Sequence, residues 1–200
     1  MTKTKFKNLR NRIVENRISK KDIDVIEDIF FNYPNTPIIF EYDYMVVICE
    51  GCYDSLNVAI RLYQKRRCSV ILLCDYYSKE ITKDYSDFYN YAVSRGIIPV
   101  DILYDSNTYD MQTGINHVFR FLLSLNKLNP RVLFVARSIR LFRAKKIANN
   151  LKDKLYYFPH CDYYPSYHRK LNPDEWYLYK KTRDIIINEM DIILRNDLYD

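Results

Sequence analysis

Glycine is scarce in this chain: Gly51, Gly96 and Gly114 are the only three among 200 residues. No Gly-x-Gly-x-x-Gly and no Walker-type Gly-Lys-Ser/Thr is present, so ordinary dinucleotide and P-loop phosphate binding are disfavoured. Histidine is equally rare, at His117, His160 and His168, with neither a Ser-His-Asp arrangement nor a His-Glu-x-x-His spacing. No run approaches the ~18 apolar residues that span a bilayer, and no apolar stretch follows the basic N-terminus as a secretory signal requires. A cytoplasmic location is therefore expected. The sequence contains no internal repeat and no low-complexity segment.

Apolar residues are plentiful, at 48%, and tyrosine reaches 20 residues. The apolar content suits a folded globular domain. AT-rich coding is the simplest source of so much tyrosine, isoleucine, asparagine and lysine. The net charge of +6 is moderate and spread over many segments, densest in "KTKFKNLRNR", which reads as a solvated basic tail. Without a recognised binding motif beside it, nucleic acid is not the expected partner. Five cysteines, Cys49, Cys52, Cys68, Cys74 and Cys161, read as reduced, partly buried thiols.

The hydrophobic pattern alternates between strands and helices. Residues 1–37 read as an N-terminal helical extension, with Ser19 as N-cap and Ile23, Ile26, Ile29 and Phe30 at helical spacing. Residues 38–160 read as the core. Its strands are "YMVVIC", "CSVILLC", "PVDILY", "RVLFVA" and "KLYYFP", separated by helices carrying Leu56, Ala59, Ile60, Tyr63 and then Ile115, Val118, Phe119, Leu122. Gly96 falls where a left-handed helix C′ residue belongs. Residues 161–200 read as a loop and a long helix, capped by Asp174, with Trp176, Tyr179, Ile186, Met190 and Ile193 inward. The expected fold is α/β, a three-layer Rossmann-like sandwich. A mostly parallel five-stranded sheet sits at its centre, with N-terminal helices and a long C-terminal helix added to a single domain.

Open α/β sheets bind ligands beyond the carboxyl ends of their strands, so the loops there carry the candidates. After the first strand come Gly51, suited to close backbone approach, and Asp54, which binds a ligand hydroxyl or caps its helix. Cys49-x-x-Cys52 has the placement of a redox pair, but the remaining thioredoxin pattern is missing and a metal would need further ligands, so no metal site is assigned. After the third strand, Asn107 and Thr108 either cap a helix or orient a ligand. After the fourth come Arg137, Arg140 and Arg143, within seven residues at a helix start. They either hold an anion or pair with the acidic loops.

This order of motifs, from about Tyr44 to Phe158, resembles the YdcF-like family, the domain shared by YdcF, SanA and ElyC. Gly51, the Gly96–Pro99 segment, Ser106-Asn107-Thr108 and Arg143-Ala144 match its pattern, with Asp87 and Asp110 in place of acidic residues. The chain departs from it at Cys49-Glu50 in the first glycine motif and at Cys74-Asp75 in place of Ser-Gly-Gly. Further departures are Met111 for an asparagine, Ala136-Arg137 for Thr-Ser, and Arg140 for a histidine. An arginine stays protonated, so histidine proton chemistry would not carry over. The resemblance implies a Rossmann-like domain and, from YdcF-type members, S-adenosylmethionine as a candidate ligand.

The expected function is binding of a small anionic or nucleotide-like ligand through Gly51, Asp54, Asn107, Thr108, Arg137, Arg140 and Arg143. Two rivals stand beside it. One is a transferase or hydrolase in the same cleft, with Asp54, Asp75 and Asp110 as carboxylates. The other is a catalytically degenerate interaction or scaffold protein, in which the arginines would be bridged to acidic loops.

Overall fold

In a computed structural model, residues 1–33, 38, 40–74, 85–104, 110–167 and 171–198 are described. Five strands form one all-parallel sheet in the order β3-β2-β1-β4-β5. They are β1 (Tyr42–Ile48), β2 (Cys68–Cys74), β3 (Ile102–Tyr104), β4 (Arg131–Arg137) and β5 (His160–Ser166). Helices α3 (Asp54–Gln64), α4 (Tyr85–Ser94), α5 (Met111–Ser124) and α6 (Ser138–Leu155) make the crossovers. This is a Rossmann-like three-layer α/β sandwich.

The central strands are apolar on both faces because both are covered. Met45 and Val47 of β1 and Leu133 and Val135 of β4 pack with Leu56 and Ala59 of α3 and Phe88 and Ala92 of α4. Their alternates, Val46, Ile48, Val132, Phe134 and Ala136, face Ile115 and Phe119 of α5 and Leu141 and Ala144 of α6. Gly96 takes φ +90°, and Ile97 N donates to Ala92 O across it, closing α4 with the left-handed turn that its placement suggested.

The second face is thickened by α1 (Lys3–Val14), α2 (Lys20–Phe30) and α7 (Lys180–Arg195), with α1 against α7 and α2 against α6. The basic segment expected as a solvated tail is the helix α1, and its Phe6, Leu9 and Ile13 join the core cluster of Phe134. Charge along one face hid an apolar stripe on the other. Asp22 closes a capping box with Ser19, as the N-cap spacing allows, and accepts two hydrogen bonds from Arg12 at 2.7 and 3.0 Å.

The Arg12 hydrogen bonds, with those from Ser19, lower the Asp22 carboxyl to about 2. Ionised Asp22 therefore stabilises the fold fully above the ordinary carboxylate range, and that contribution is lost as pH falls toward about 2. Asp22→Asn should cost about 1–2 kcal/mol at neutral pH and flatten the acid limb of stability between about pH 4 and 2. Urea titrations across that range check both.

Two elements differ from the sequence reading. The fifth strand is His160–Ser166, not residues 154–159, so the sheet crosses the expected boundary at 160. Helix α6 instead runs on to Leu155, with Lys152 and Lys154 favourably placed in its last turn, and ends at left-handed Tyr156. Pro165 disguised β5, but an edge strand tolerates proline. The last helix begins at Lys180, not near Asp174. Thr182 Oγ1 donates to Tyr179 O at 2.8 Å, and the preceding residues form turns that bury Trp176 and leave Tyr179 exposed.

Candidate functional site

The chain leaves β1 toward β2 and β3 on one side, and later returns through β4 to β5 on the other. The carboxyl ends of β1 and β4 are therefore the topological switch point, where such sheets open a crevice. The β1–α3 turn reverses direction through two successive left-handed residues, Glu50 at φ +48° and Gly51 at φ +71°. Gly51 meets this requirement without strain, whereas Glu50 does so at a steric cost. Across the crevice, β4 passes directly into α6. Arg137 is the junction and N-cap, and it provides no side-chain cap.

Five side chains meet there. Arg137 donates to Glu50 Oε2 from Nε at 3.0 Å and from Nη2 at 2.8 Å. Arg140 Nε lies 2.7 Å from Glu50 Oε1, and Arg143 Nη2 approaches the same oxygen at 4.0 Å. On the other side, Arg140 Nη1 contacts Glu189 Oε2, and Arg143 Nε lies 2.9 Å from Glu189 Oε1. Arg140 and Arg143 share a helix face because they are three residues apart, and α7 carries Glu189 onto that face. Exposure grades across the group: Glu189 is 0% and Glu50 2% exposed, Arg143 9%, Arg140 13% and Arg137 22%.

The three arginines singled out in the sequence are thus brought together, and Gly51 and Asp54 flank them. Asp54 opens α3, and its Oδ2 lies 3.5 Å from Cys52 Sγ. Asn107 and Thr108 lie outside the described residues, as does Asp75. Asp110 caps α5, accepting from Thr113 N at 2.7 Å. Burial raises the Cys52 thiol, so it is held protonated rather than activated, and Cys49 is buried and not in a disulfide. Close by, the hydroxyls of Ser55 and Ser166 meet at 3.0 Å, joining the start of α3 to the end of β5. Among the described residues no group of three or more His, Cys, Asp or Glu could hold a metal ion, and no helix is long and apolar enough to cross a membrane.

Sequence reasoning missed both glutamates as site residues. Glu50 was visible as a departure from the glycine pattern. Glu189 sits beside Met190 and three residues from Ile186, so a charge within the apolar stripe of α7 was its signal.

No family model, no curated protein and no solved structure matches the chain. Its class is defined by the fold and by this arginine–glutamate cluster: a doubly wound, Rossmann-like α/β domain with a charged switch point.

Proposed function

We propose that this chain is a YdcF-like domain that binds a small anionic or nucleotide-like ligand at the carboxyl ends of β1 and β4. The observation that carries this reading is the convergence of three guanidinium groups on the switch-point crevice. Among the described residues, these three arginines and the carboxylates of Glu50 and Glu189 are in direct ion-pair contact there. Arg137, the most exposed of the three, is the ligand's first contact, and Arg140 and Arg143 supply the field behind it. S-adenosylmethionine enters the candidate set through the resemblance alone.

Calorimetric titration with nucleotides, S-adenosylmethionine and inorganic phosphate tests the reading. Arg137→Ala should weaken the ligand that binds by about tenfold or more, as loss of a charged hydrogen bond does. Unchanged affinity for every ligand found, in Arg137→Ala and in the Arg140→Ala and Arg143→Ala variants, would sink it.

One observation favours a second reading, an interaction domain without catalysis. Each of the three arginines is engaged by a carboxylate of the same chain. Glu50 and Arg140, two departures from the YdcF-like pattern, form an ion pair with each other. Persistent absence of ligand from protein purified under native conditions supports that alternative. Turnover lost in Asp54→Asn would instead point to an enzyme.

A further inference from the structure

We propose that the amino-terminal end of the sheet, opposite the switch-point crevice, is a peripheral docking surface for an anionic lipid bilayer. The strands are parallel, so the turns that precede β1, β2, β4 and β5 are neighbours at that end. Backbone hydrogen bonds join them: Tyr42 N donates to Arg67 O, and His160 N to Pro130 O. From β2 to β5 the end spans three strand spacings, about 14 Å. Among the described residues, the three most exposed large apolar side chains are Leu128 at 90%, Tyr156 at 88% and Val100 at 79%. Leu128 precedes β4, Tyr156 closes α6 before β5, and Val100 lies in the short helical turn before β3. Phe158 and Ile98, both more than half exposed, stand two residues from Tyr156 and Val100.

Cations gather at the same end. Arg61 lies in the last turn of α3, Lys65 and Arg66 follow it before β2, and Arg95 follows α4. Gln64 Nε2 donates to Arg95 O at 3.0 Å, which ties the two helix ends together. All four cations are exposed, and none forms an ion pair among the described residues. Arg95 rests over the Tyr91 ring at 5.0 Å. Two carboxylates at this end already have donors: Asp43 accepts from Lys127 and from Arg131 N, and Asp101 accepts from the Tyr63 hydroxyl. Glu41 and Asp153 stay exposed, the latter between Lys152 and Lys154 in sequence.

Apolar tips and cations together select the partner. Helix C-termini attract cations, which accounts for Arg61 and Lys65 but not for the apolar side chains at the same end. A nucleic-acid backbone would use the cations and leave Leu128, Val100 and Ile98 in water. A bilayer uses both: its anionic headgroups take the charges, and its acyl boundary takes the side chains that project from the turns. Tyr156 and Phe158 suit the headgroup level, where aromatic rings collect. The tips stand on separate turns across the end, which fits a planar partner with no shape of its own. Docked in this way, the crevice at the carboxyl ends of β1 and β4 faces away from the bilayer. The surface is independent of what that crevice binds.

Co-sedimentation of the full chain with vesicles at about 0.1 M salt tests this. Vesicles of phosphatidylcholine alone are compared with vesicles of phosphatidylcholine and phosphatidylglycerol in equal parts. Binding to the anionic vesicles is expected, with little to phosphatidylcholine alone. Lys65→Glu with Arg66→Glu should weaken it about twentyfold or more, since each basic residue near the surface contributes about fivefold. Leu128→Ser with Tyr156→Ser should weaken it about tenfold or more and leave Tm unchanged, because both side chains already face solvent. Lys5→Glu with Lys7→Glu, on the basic helix α1, should bind nearly as the parent does. Absence of binding to anionic vesicles overturns the proposal. So does loss through the α1 variant with none through Lys65→Glu and Arg66→Glu, or binding that the Leu128 and Tyr156 variant leaves intact. An RNA oligonucleotide that binds where vesicles do not, or a dimer lost with Leu128→Ser while vesicles go unbound, gives the face to another partner and overturns it as well.

Discussion

Glu189→Ala is expected to destabilise the fold by about 3–5 kcal/mol, lowering Tm by roughly 6–20 °C for a chain of this size. The side chain is wholly buried and faces Arg140 and Arg143, so its loss takes the facing carboxylate from Arg140 Nη1 and Arg143 Nε in a largely buried cluster. Solvent cannot replace the lost partner without opening the packing of α7 against α6. Replacing the buried set together, as Glu189→Leu with Arg140→Met and Arg143→Met, should recover much of the loss, since apolar side chains carry no desolvation cost. Calorimetric melting of the single and triple variants checks this. A Glu189→Ala protein that melts within a degree or two of the parent would show that the cluster is not held together by charge.

Phe6→Ala should be comparably damaging, at about 3–5 kcal/mol, because it empties a fully buried aromatic site. Phe6 lies in a segment whose charge alone suggests a solvated tail, yet α1 rests on α7 and shares the core of β4. Urea unfolding monitored by tyrosine fluorescence and by far-ultraviolet circular dichroism should show one shifted transition. A protein unaffected by Phe6→Ala would make α1 a dispensable extension.

The sheet was legible because its signal is local. β2 reads off "CSVILLC" as an unbroken apolar run, and α5 off the recurrence of Ile115, Val118, Phe119 and Leu122. β5 was not, because Asp162 and Pro165 break the apolar run and the strand gains its order by pairing with β4. The candidate site divides in the same way. Arg137, Arg140 and Arg143 lie close together in sequence, so their convergence could be anticipated from helix geometry. Their partners are Glu50, 87 positions before Arg137, and Glu189, on a separate helix. Pairing over that separation is decided by the packing of α6 and α7, which no local pattern encodes. Asp110 illustrates the opposite case: its capping role needed only the next three residues.

The strand order also bears on how this chain behaves among other chains. Among the described residues its two edges are β3, three residues long, and β5, which carries Pro165. A foreign strand seeking to extend the sheet finds too short a template on one side and a missing N–H donor on the other. The proline that concealed β5 in the sequence therefore guards the folded protein against edge-to-edge aggregation.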